Sequence, residues 1–143
     1  MTLLDSYALV ALLADEPAAD EVEALLRDGN CRVVVVNLAE AVDISQRIHG
    51  LTSDEVEATL RPLFLADVLS ALPSEEGDAW RAAELRIHHY HRKDRPLSLA
   101  DCFLLAHAAP AESLATADPP LATVARAEGI EVIALPDRSG SRP

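Results

Sequence analysis

RVVVV at residues 32–36 is the stretch of sequence that decides the fold class, because four β-branched valines follow one another without a polar break. An unbroken run of this kind predicts a parallel strand that is buried on both faces. Apolar stretches at residues 2–4 and 68–72 predict one strand before it and one after it. Further strands are predicted at residues 114–116 and 131–134. The sequence therefore indicates a buried, mainly parallel sheet.

Apolar residues at helical spacing fill the intervals between these strands. Gly50 separates two of the helices, and Thr52 or Ser53 is the expected N-cap of the second of that pair. Strands that alternate with helices predict an α/β domain with right-handed crossovers. The predicted helices cover residues 6–15, 18–27, 38–49, 54–66, 74–91, 99–109 and 119–128.

Length and composition predict one folded domain at residues 1–135 and a flexible tail at residues 136–143. The chain has 143 residues, half of them hydrophobic, which suffices for one sizeable core. No apolar run reaches the roughly 18 residues that cross a bilayer, and no basic leader opens the chain, so we expect a soluble, cytoplasmic protein. Cys31 and Cys102 lack metal-binding spacing and predict no disulfide framework.

The net charge of −12 argues against an extended nucleic-acid surface, because phosphate contacts normally come from Lys and Arg. An excess of carboxylates is instead typical of a cation site or of a surface for a basic partner. The one concentrated positive segment holds Arg86, Arg92, Lys93 and Arg95, with Tyr90 among them. These cations are candidates for binding nucleic-acid phosphate, and cations favoured at a helix C-terminus are the structural alternative.

Four acids stand where ligands collect in open parallel sheets, at or near the carboxyl ends of strands. They are Asp5, Glu40, Asp101 and Asp118. Without a cation, four carboxylates at one end of a sheet would repel one another by several kcal/mol. All-oxygen ligation favours Mg²⁺ or Mn²⁺, and a water held by such an ion can attack a phosphodiester. The joint pattern predicts a metal-dependent phosphodiesterase.

Helix capping is the alternative explanation for each acid taken alone. Asn37 with Glu40, and Ser98 with Asp101, have the spacing of a capping box. The other two acids each stand directly before a predicted helix, where an N-cap belongs. On the sequence alone both explanations stay open for every one of the four positions.

Other chemistries fit the residues less well. His88, His89 and His91 cannot all face one way on a helix, which argues against zinc. Cys102 has no histidine placed to activate it and reads as a buried core residue. An aspartyl-phosphate mechanism would need the second acid of a DxD pattern, but that position is Tyr7.

The acids lie in four segments that follow one another at characteristic spacings: LLDSYALVALL (3–13), VNLAEAV (36–42), PLSLADCFLLAHA (96–108) and LATADPPL (114–121). Together these segments resemble the PIN-domain family, and within it the VapC-like toxins of bacterial toxin–antitoxin pairs. The resemblance extends to about Leu135. It implies a three-layer α/β/α fold with a five-stranded, mainly parallel sheet.

The resemblance also implies Mg²⁺-dependent endonuclease cleavage of RNA, with Mn²⁺ as an alternative ion. The family's acidic positions are matched by Asp5, Glu40, Asp101 and Asp118. Asp5 and Asp101 would be the direct ligands, and the other two acids would hold waters, complete the metal shell or orient the nucleophile. By the same matching, Ser6 and Thr116 would support the acids through hydrogen bonds.

The partners implied by the resemblance are an RNA substrate, a second copy of the chain, and a small antitoxin that inserts a segment near the acidic groove. Two alternatives remain at this stage. One is a PIN-type nuclease that is not a toxin. The other is a catalytically silent module whose acidic groove binds a basic protein.

Overall fold

The computed structural model describes residues 1–108 and 112–143, and the predicted helix end at residue 109 lies outside them. Within the described part no helix is long and apolar enough to span a membrane. In chain order the elements are β1 (Thr2–Leu4), α1 (Ser6–Ala14), α2 (Ala19–Asp28), β2 (Cys31–Val34), α3 (Val35–Arg47), α4 (Ser53–Leu65), β3 (Leu69–Leu72), α5 (Glu76–His89), α6 (Leu99–His107), β4 (Ser113–Thr116), α7 (Pro119–Ala127) and β5 (Glu131–Ala134).

The five strands form one sheet in the order β3-β2-β1-β4-β5, and every neighbouring pair is parallel. From β1 the chain adds β2 and then β3 on one side. It then returns to the other side of β1 to place β4 and β5. The order of the strands therefore reverses between β1 and β4, and such a reversal opens a crevice at the carboxyl ends of the two strands.

Consecutive strand residues pack into different cores, because side chains alternate between the two faces of a sheet. Leu4 and Val33 belong to a cluster with α1, α2, α3 and α4. Leu3 and Val34 belong to a second cluster with α5, α6 and α7. Helices therefore cover the sheet on both faces, which confirms the predicted three-layer α/β/α fold.

The strand predicted at residues 32–36 is two residues too long, because β2 ends at Val34 and the chain turns directly into α3. Val34 pairs with Leu72, the last residue of β3, while β1 pairs with β2 only as far as Arg32. Within the described residues no neighbouring strand extends further. The backbone carbonyls of Val35 and Val36 therefore accept hydrogen bonds within the first turns of α3, and neither residue joins the sheet.

The starts of two later helices show how local capping decides a boundary. Thr52 caps α4 as predicted, and its hydroxyl and Glu55 form a complete capping box. The helix predicted to begin at residue 74 begins two residues later, because Glu75 and Asp78 form a capping box there. Capping thus explains both the correct prediction and the displaced one.

Residues 136–143, here called the C-terminal segment, are attached to the domain at several points. The hydroxyl of Tyr7 donates to the carbonyl of Pro136 at 3.0 Å. Arg142 binds the Glu21 carboxylate (Nη2 to Oε1, 2.6 Å) and donates to the Ala134 carbonyl at 2.6 Å. The domain boundary at residue 135 and the flexibility of the segment stay predictions.

Candidate active site

The sheet topology brings the four predicted acids to one cleft at the switch point between β1 and β4. The cleft has a volume of about 930 Å³ and is called the acidic cleft below. Its acidic lining residues include Asp5, Glu40, Asp101 and Asp118. The convergence predicted from the sequence is therefore present, although the four residues are far apart along the chain.

Asp5 directly follows β1 and is the N-cap of α1, where its Oδ1 accepts the backbone N–H of Ala8 at 2.7 Å. Its side chain is buried, and burial raises the pKa of the carboxyl group to about 7. The charges of Asp101 and Asp118 raise it further, while a hydrogen bond from Thr116 acts in the opposite direction. A carboxylate in this position is costly unless a cation or a proton compensates it.

Asp101 and Asp118 are also helix caps, so the alternative explanation is correct for both residues. The Oδ2 of Asp101 accepts the backbone N–H of Ser98 at 2.8 Å in a capping box. The Oδ2 of Asp118 accepts the backbone N–H of Leu121 at 2.8 Å. Burial raises the pKa of both carboxyl groups, and the Asp118 charge raises that of Asp101 further. Capping and membership of the cleft are compatible.

Glu40 reaches the cleft from inside α3, and the predicted capping box from Asn37 to Glu40 is wrong because Val34 is the N-cap. Asn37 is fully buried in the helix, and its Nδ2 donates to Ser6 Oγ at 3.3 Å. The Ser6 hydroxyl in turn donates to the Glu40 carboxylate. Asn37 therefore begins a series of hydrogen bonds that ends at Glu40. The N-cap role predicted for it from its sequence position is wrong.

One side-chain oxygen in this series of hydrogen bonds lacks a hydrogen-bond donor. The Oδ1 of Asn37 has no hydrogen-bond partner among the described residues. Leaving a buried carbonyl unpaired costs about 1–3 kcal/mol. The hydroxyl of Ser45 on the same helix is also without a partner among the described residues. Asn37 thus supports the Ser6–Glu40 contact at a cost in stability. The other fully buried residues of α3 are Ala41 and Ser45, and Leu38, Val42 and Ile44 pack against the core at its edge.

Of the four predicted RNA-binding cations, Arg86 lines the cleft, whereas Arg92, Lys93 and Arg95 are outside its lining residues. The Arg86 guanidinium lies 4.5 Å from the centre of the Tyr90 ring. Its Nε donates to the carbonyl of Leu97 at 3.1 Å. Helix α5 ends at residue 89. The other three cations follow in a turn that is closed by backbone pairing between residues 91 and 95.

Several lining residues were not predicted from the sequence. Tyr7 lies in the first turn of α1, two residues after Asp5. The others, Asp137, Arg138 and Ser139, come from the C-terminal segment. Nothing in the spacing of the segment predicted that it would return to the cleft. An Asp-x-Ser pattern, in which Asp137 Oδ1 accepts the N–H of Ser139 at 2.8 Å, was the available sign of an ordered turn.

The fit of the cleft to a metal ion rests on its donor atoms. Among residues 1–108 and 112–143, no three His, Cys, Asp or Glu side chains are grouped closely enough to hold an ion together. Mg²⁺ does not need such a group, because it is usually bound through one or two carboxylates and keeps several waters. The cleft supplies carboxylate oxygens and a buried acid whose charge needs compensation. The residues therefore fit Mg²⁺ and do not fit zinc.

Fold and cleft together define an α/β/α domain with a carboxylate site at the switch point of a parallel sheet. The sequence pattern of the PIN domain matches residues 2–127, and the chain therefore belongs to the PIN domain family. PIN domains are nucleases that generally use divalent metals. No curated protein matches this chain in sequence.

Solved structures with a similar fold include proteins from three bacteria. A toxin–antitoxin complex from Klebsiella pneumoniae matches with 18% identity and a TM-score of 0.65, over 93% of this chain and 96% of that one. FitAcB from Neisseria gonorrhoeae matches with 21% identity and a TM-score of 0.63, over 93% and 96%. VapBC2 from Rickettsia felis, bound to a promoter DNA fragment, matches with 14% identity and a TM-score of 0.63, over 92% and 96%. At these identities the likeness shows the fold.

Proposed function

We propose that this protein is a Mg²⁺-dependent endoribonuclease that acts as the toxin of a toxin–antitoxin pair. The observation that carries the proposal is the convergence of four acids on one cleft in a chain that belongs to a family of nucleases. The structural neighbours that are toxin–antitoxin complexes support the biological role. Mn²⁺ is an alternative ion, because it accepts the same oxygen ligands.

Each acid has a role that follows from its surroundings. Asp5 and Asp101 are the proposed direct ligands, since burial makes their charges the most in need of a cation. Glu40, held by the Ser6 hydroxyl, and Asp118 orient waters and the attacking nucleophile. When bound, Mg²⁺ activates water and neutralises charge on the phosphate that is attacked. Thr116 supports the site by its hydrogen bond to Asp5.

The RNA would approach the acids along the wall formed by Arg86 and Tyr90. Arg86 offers positive charge to a phosphate, and Tyr90, which is 42% exposed, offers a ring on which a base can stack. The cations Arg92, Lys93 and Arg95 continue this positive charge outside the cleft and remain candidates for more distant phosphates. A protein of net charge −12 can bind RNA in this way because the cations are concentrated locally.

The proposed test is cleavage of a panel of tRNA, rRNA and mRNA by the purified chain, with Mg²⁺ and with EDTA. Asp5→Asn and Asp101→Asn should each lower the rate at least about 100-fold, because each removes a charge that holds the ion. Asp43→Asn is the matched control, since Asp43 is exposed and pairs with Arg47 on the outside of α3. Circular dichroism should show that all variants are folded. A double Asp5/Asp101 variant that still cuts RNA in EDTA would refute the proposal.

The antitoxin and toxin roles need a separate experiment. Expression of the chain should arrest growth, and co-expression of a small open reading frame adjacent to its gene should relieve the arrest. RNA cleavage without growth arrest would instead indicate a PIN-type nuclease that is not a toxin. An acidic binding module is the remaining candidate, favoured by the net charge of −12, and would bind a basic peptide while lacking nuclease activity.

We also propose that two copies associate through apolar residues exposed on α5 and α6. Trp80 is 73% exposed, Ile87 86% and Leu99 56%, and the first two are seven residues apart on one face of α5. A second copy is the occupant that the family resemblance implies. Ile87→Asp should convert a dimer into a monomer in analytical ultracentrifugation, whereas a wild-type chain that is monomeric at high concentration would exclude this interface.

A further inference from the structure

We propose that the C-terminal segment forms the second wall of the acidic cleft and that its Arg138 binds a phosphate of the substrate RNA. This inference rests on the proposed nuclease function and names a contact that the function needs. The segment lies beyond residue 127, where the match to the PIN domain ends. It nevertheless lines the acidic cleft through Asp137, Arg138 and Ser139.

The segment has a defined shape. Asp137 Oδ1 accepts the backbone N–H of Ser139 at 2.8 Å and that of Ser141 at 2.9 Å, which closes a tight turn around Arg138. The Tyr7 hydroxyl holds the start of the segment through the Pro136 carbonyl. These contacts fix the direction in which the Arg138 side chain leaves the turn, as a binding residue requires.

Arg138 is held loosely enough to bind a ligand. Its Nε contacts Glu16 Oε1 at 3.0 Å, and its Nη2 contacts His49 Nε2 at 3.0 Å. A guanidinium has five N–H donors, so these two contacts leave donors for a phosphate. The side chain is 61% exposed, and Glu16 is only 14% exposed. The arginine is thus oriented by a largely buried acid and still faces solvent.

Its location complements that of Arg86. Arg86 belongs to α5, in the helical layer that also contains α6 and α7. Arg138 is anchored to residues that follow α1 and α3, in the layer on the other face of the sheet. The acids lie at the carboxyl ends of the central strands, between the two layers. An RNA strand that crosses the sheet edge would therefore meet one arginine on each side of the acids.

Electrostatics gives the reason for such an arrangement. Carboxylates repel the phosphates of an approaching strand, so the phosphates that flank the scissile bond need local cations. Arg86 and Arg138 are the arginines that line the acidic cleft within the described residues. Arg138 is 61% exposed and belongs to neither core cluster, and without it Glu16 keeps the His49 ring beside it at 3.8 Å. Replacing it should therefore leave the fold intact.

The test measures cleavage by the full chain of whichever RNA in the panel the wild type cuts best. Arg138→Ala should raise KM about tenfold and leave kcat unchanged, because it removes binding and not chemistry. In EDTA, the affinity for the same RNA labelled with fluorescein should depend less on salt, with the logarithmic slope reduced by about 0.7. Arg138→Lys should restore part of the affinity because it keeps the charge.

Arg47→Ala is the matched control, since Arg47 has the same side-chain exposure of 61%, pairs with a neighbouring acid and lies outside the lining of the cleft. It should leave KM and the salt slope unchanged. If the wild type cuts RNA and Arg138→Ala matches it in KM, the inference fails while the proposed function stands. A loss of kcat at constant KM, or an equal effect of Arg47→Ala, also overturns it. A wild type that neither binds nor cuts RNA refutes both proposals.

Discussion

Asp5→Asn should stabilise the metal-free protein at alkaline pH, although it removes a proposed metal ligand. Burial raises the pKa of Asp5 from 3.8 to about 7 in the folded chain, whereas in the unfolded chain the ordinary value applies. The folded state therefore binds more protons than the unfolded state between these two values, and stability falls as pH rises through them. The full loss corresponds to about 4 kcal/mol, at about 1.4 kcal/mol for each pKa unit.

The assay is thermal unfolding in EDTA at about pH 5.5 and about pH 8.5. The free energy of unfolding of Asp5→Asn relative to wild type should rise by about 2 kcal/mol between these two pH values. The reason is that the lower pH lies about 1.5 units below the folded-state pKa of Asp5, and each unit corresponds to about 1.4 kcal/mol. For a domain of this size the growth amounts to about 6 °C in Tm. Asn keeps an oxygen for the Ala8 N–H, so the helix cap survives.

Asp43→Asn is the control with the opposite sign. The guanidinium of Arg47 lowers the pKa of the exposed Asp43 carboxyl group, so its removal should bring no gain at alkaline pH. If Asp5→Asn were no more stable than wild type at about pH 8.5, or if its advantage did not grow with pH, Asp5 would not be a carboxylate destabilised by burial. The case for a compensating cation at this residue would then be lost.

Four further outcomes are expected. Saturating Mg²⁺, at about 100 times its Kd, should raise the stability of wild type by about 2.7 kcal/mol in thermal melts and should leave Asp5→Asn unchanged. Asn37→Leu should raise stability by about 1–2 kcal/mol while lowering cleavage, because it removes the unpaired Oδ1 together with the donor to Ser6; a parallel fall in both would contradict this. Thr52→Ala should cost about 1 kcal/mol in urea unfolding without changing cleavage, because it breaks a distant capping box. Cys31, whose pKa burial raises to about 11, should react with a thiol reagent only when the chain unfolds.

Helices and strands were predictable from the sequence where a regular spacing of apolar residues ended at a capping or turn residue. The valine run correctly indicated a buried strand, but it could not show where the strand ends. The strand ends where its neighbour ends, at the pair of Val34 with Leu72. Local residue preferences do not predict which residues pair across two strands. Asn37 was assigned the wrong role for the same reason. With the strand shortened, it lies inside α3 and faces Ser6 instead of capping the helix.

The convergence of Asp5 and Asp118 was predictable because parallel strands deliver their carboxyl ends to one edge, whatever lies between them in sequence. Glu40 and Asp101 reach the same cleft from within α3 and α6. Of the two arginines that line the cleft among the described residues, only Arg86 was predicted from the sequence. Arg86 belonged to a visible basic cluster, but its neighbours leave the cleft where α5 ends at His89. Arg138 stands alone in a tail, and only the tertiary contacts of that tail bring it to the acids.

Asp5 and Asp118 are the N-caps of α1 and α7, and Asp101 closes the capping box of α6 by accepting the backbone N–H of Ser98. This double use limits how a descendant of the protein could lose its chemistry. Replacement of such an acid by Ala would remove a cap worth about 1 kcal/mol together with the carboxylate, and in a marginally stable domain two such losses are felt. At the N-cap positions 5 and 118, Asn or Ser would remove the charge and keep the cap. At position 101, Asn keeps a side-chain oxygen for the Ser98 N–H. Lineages that have become inactive should therefore carry Asn or Ser at positions 5 and 118, and Asn at position 101, more often than Ala.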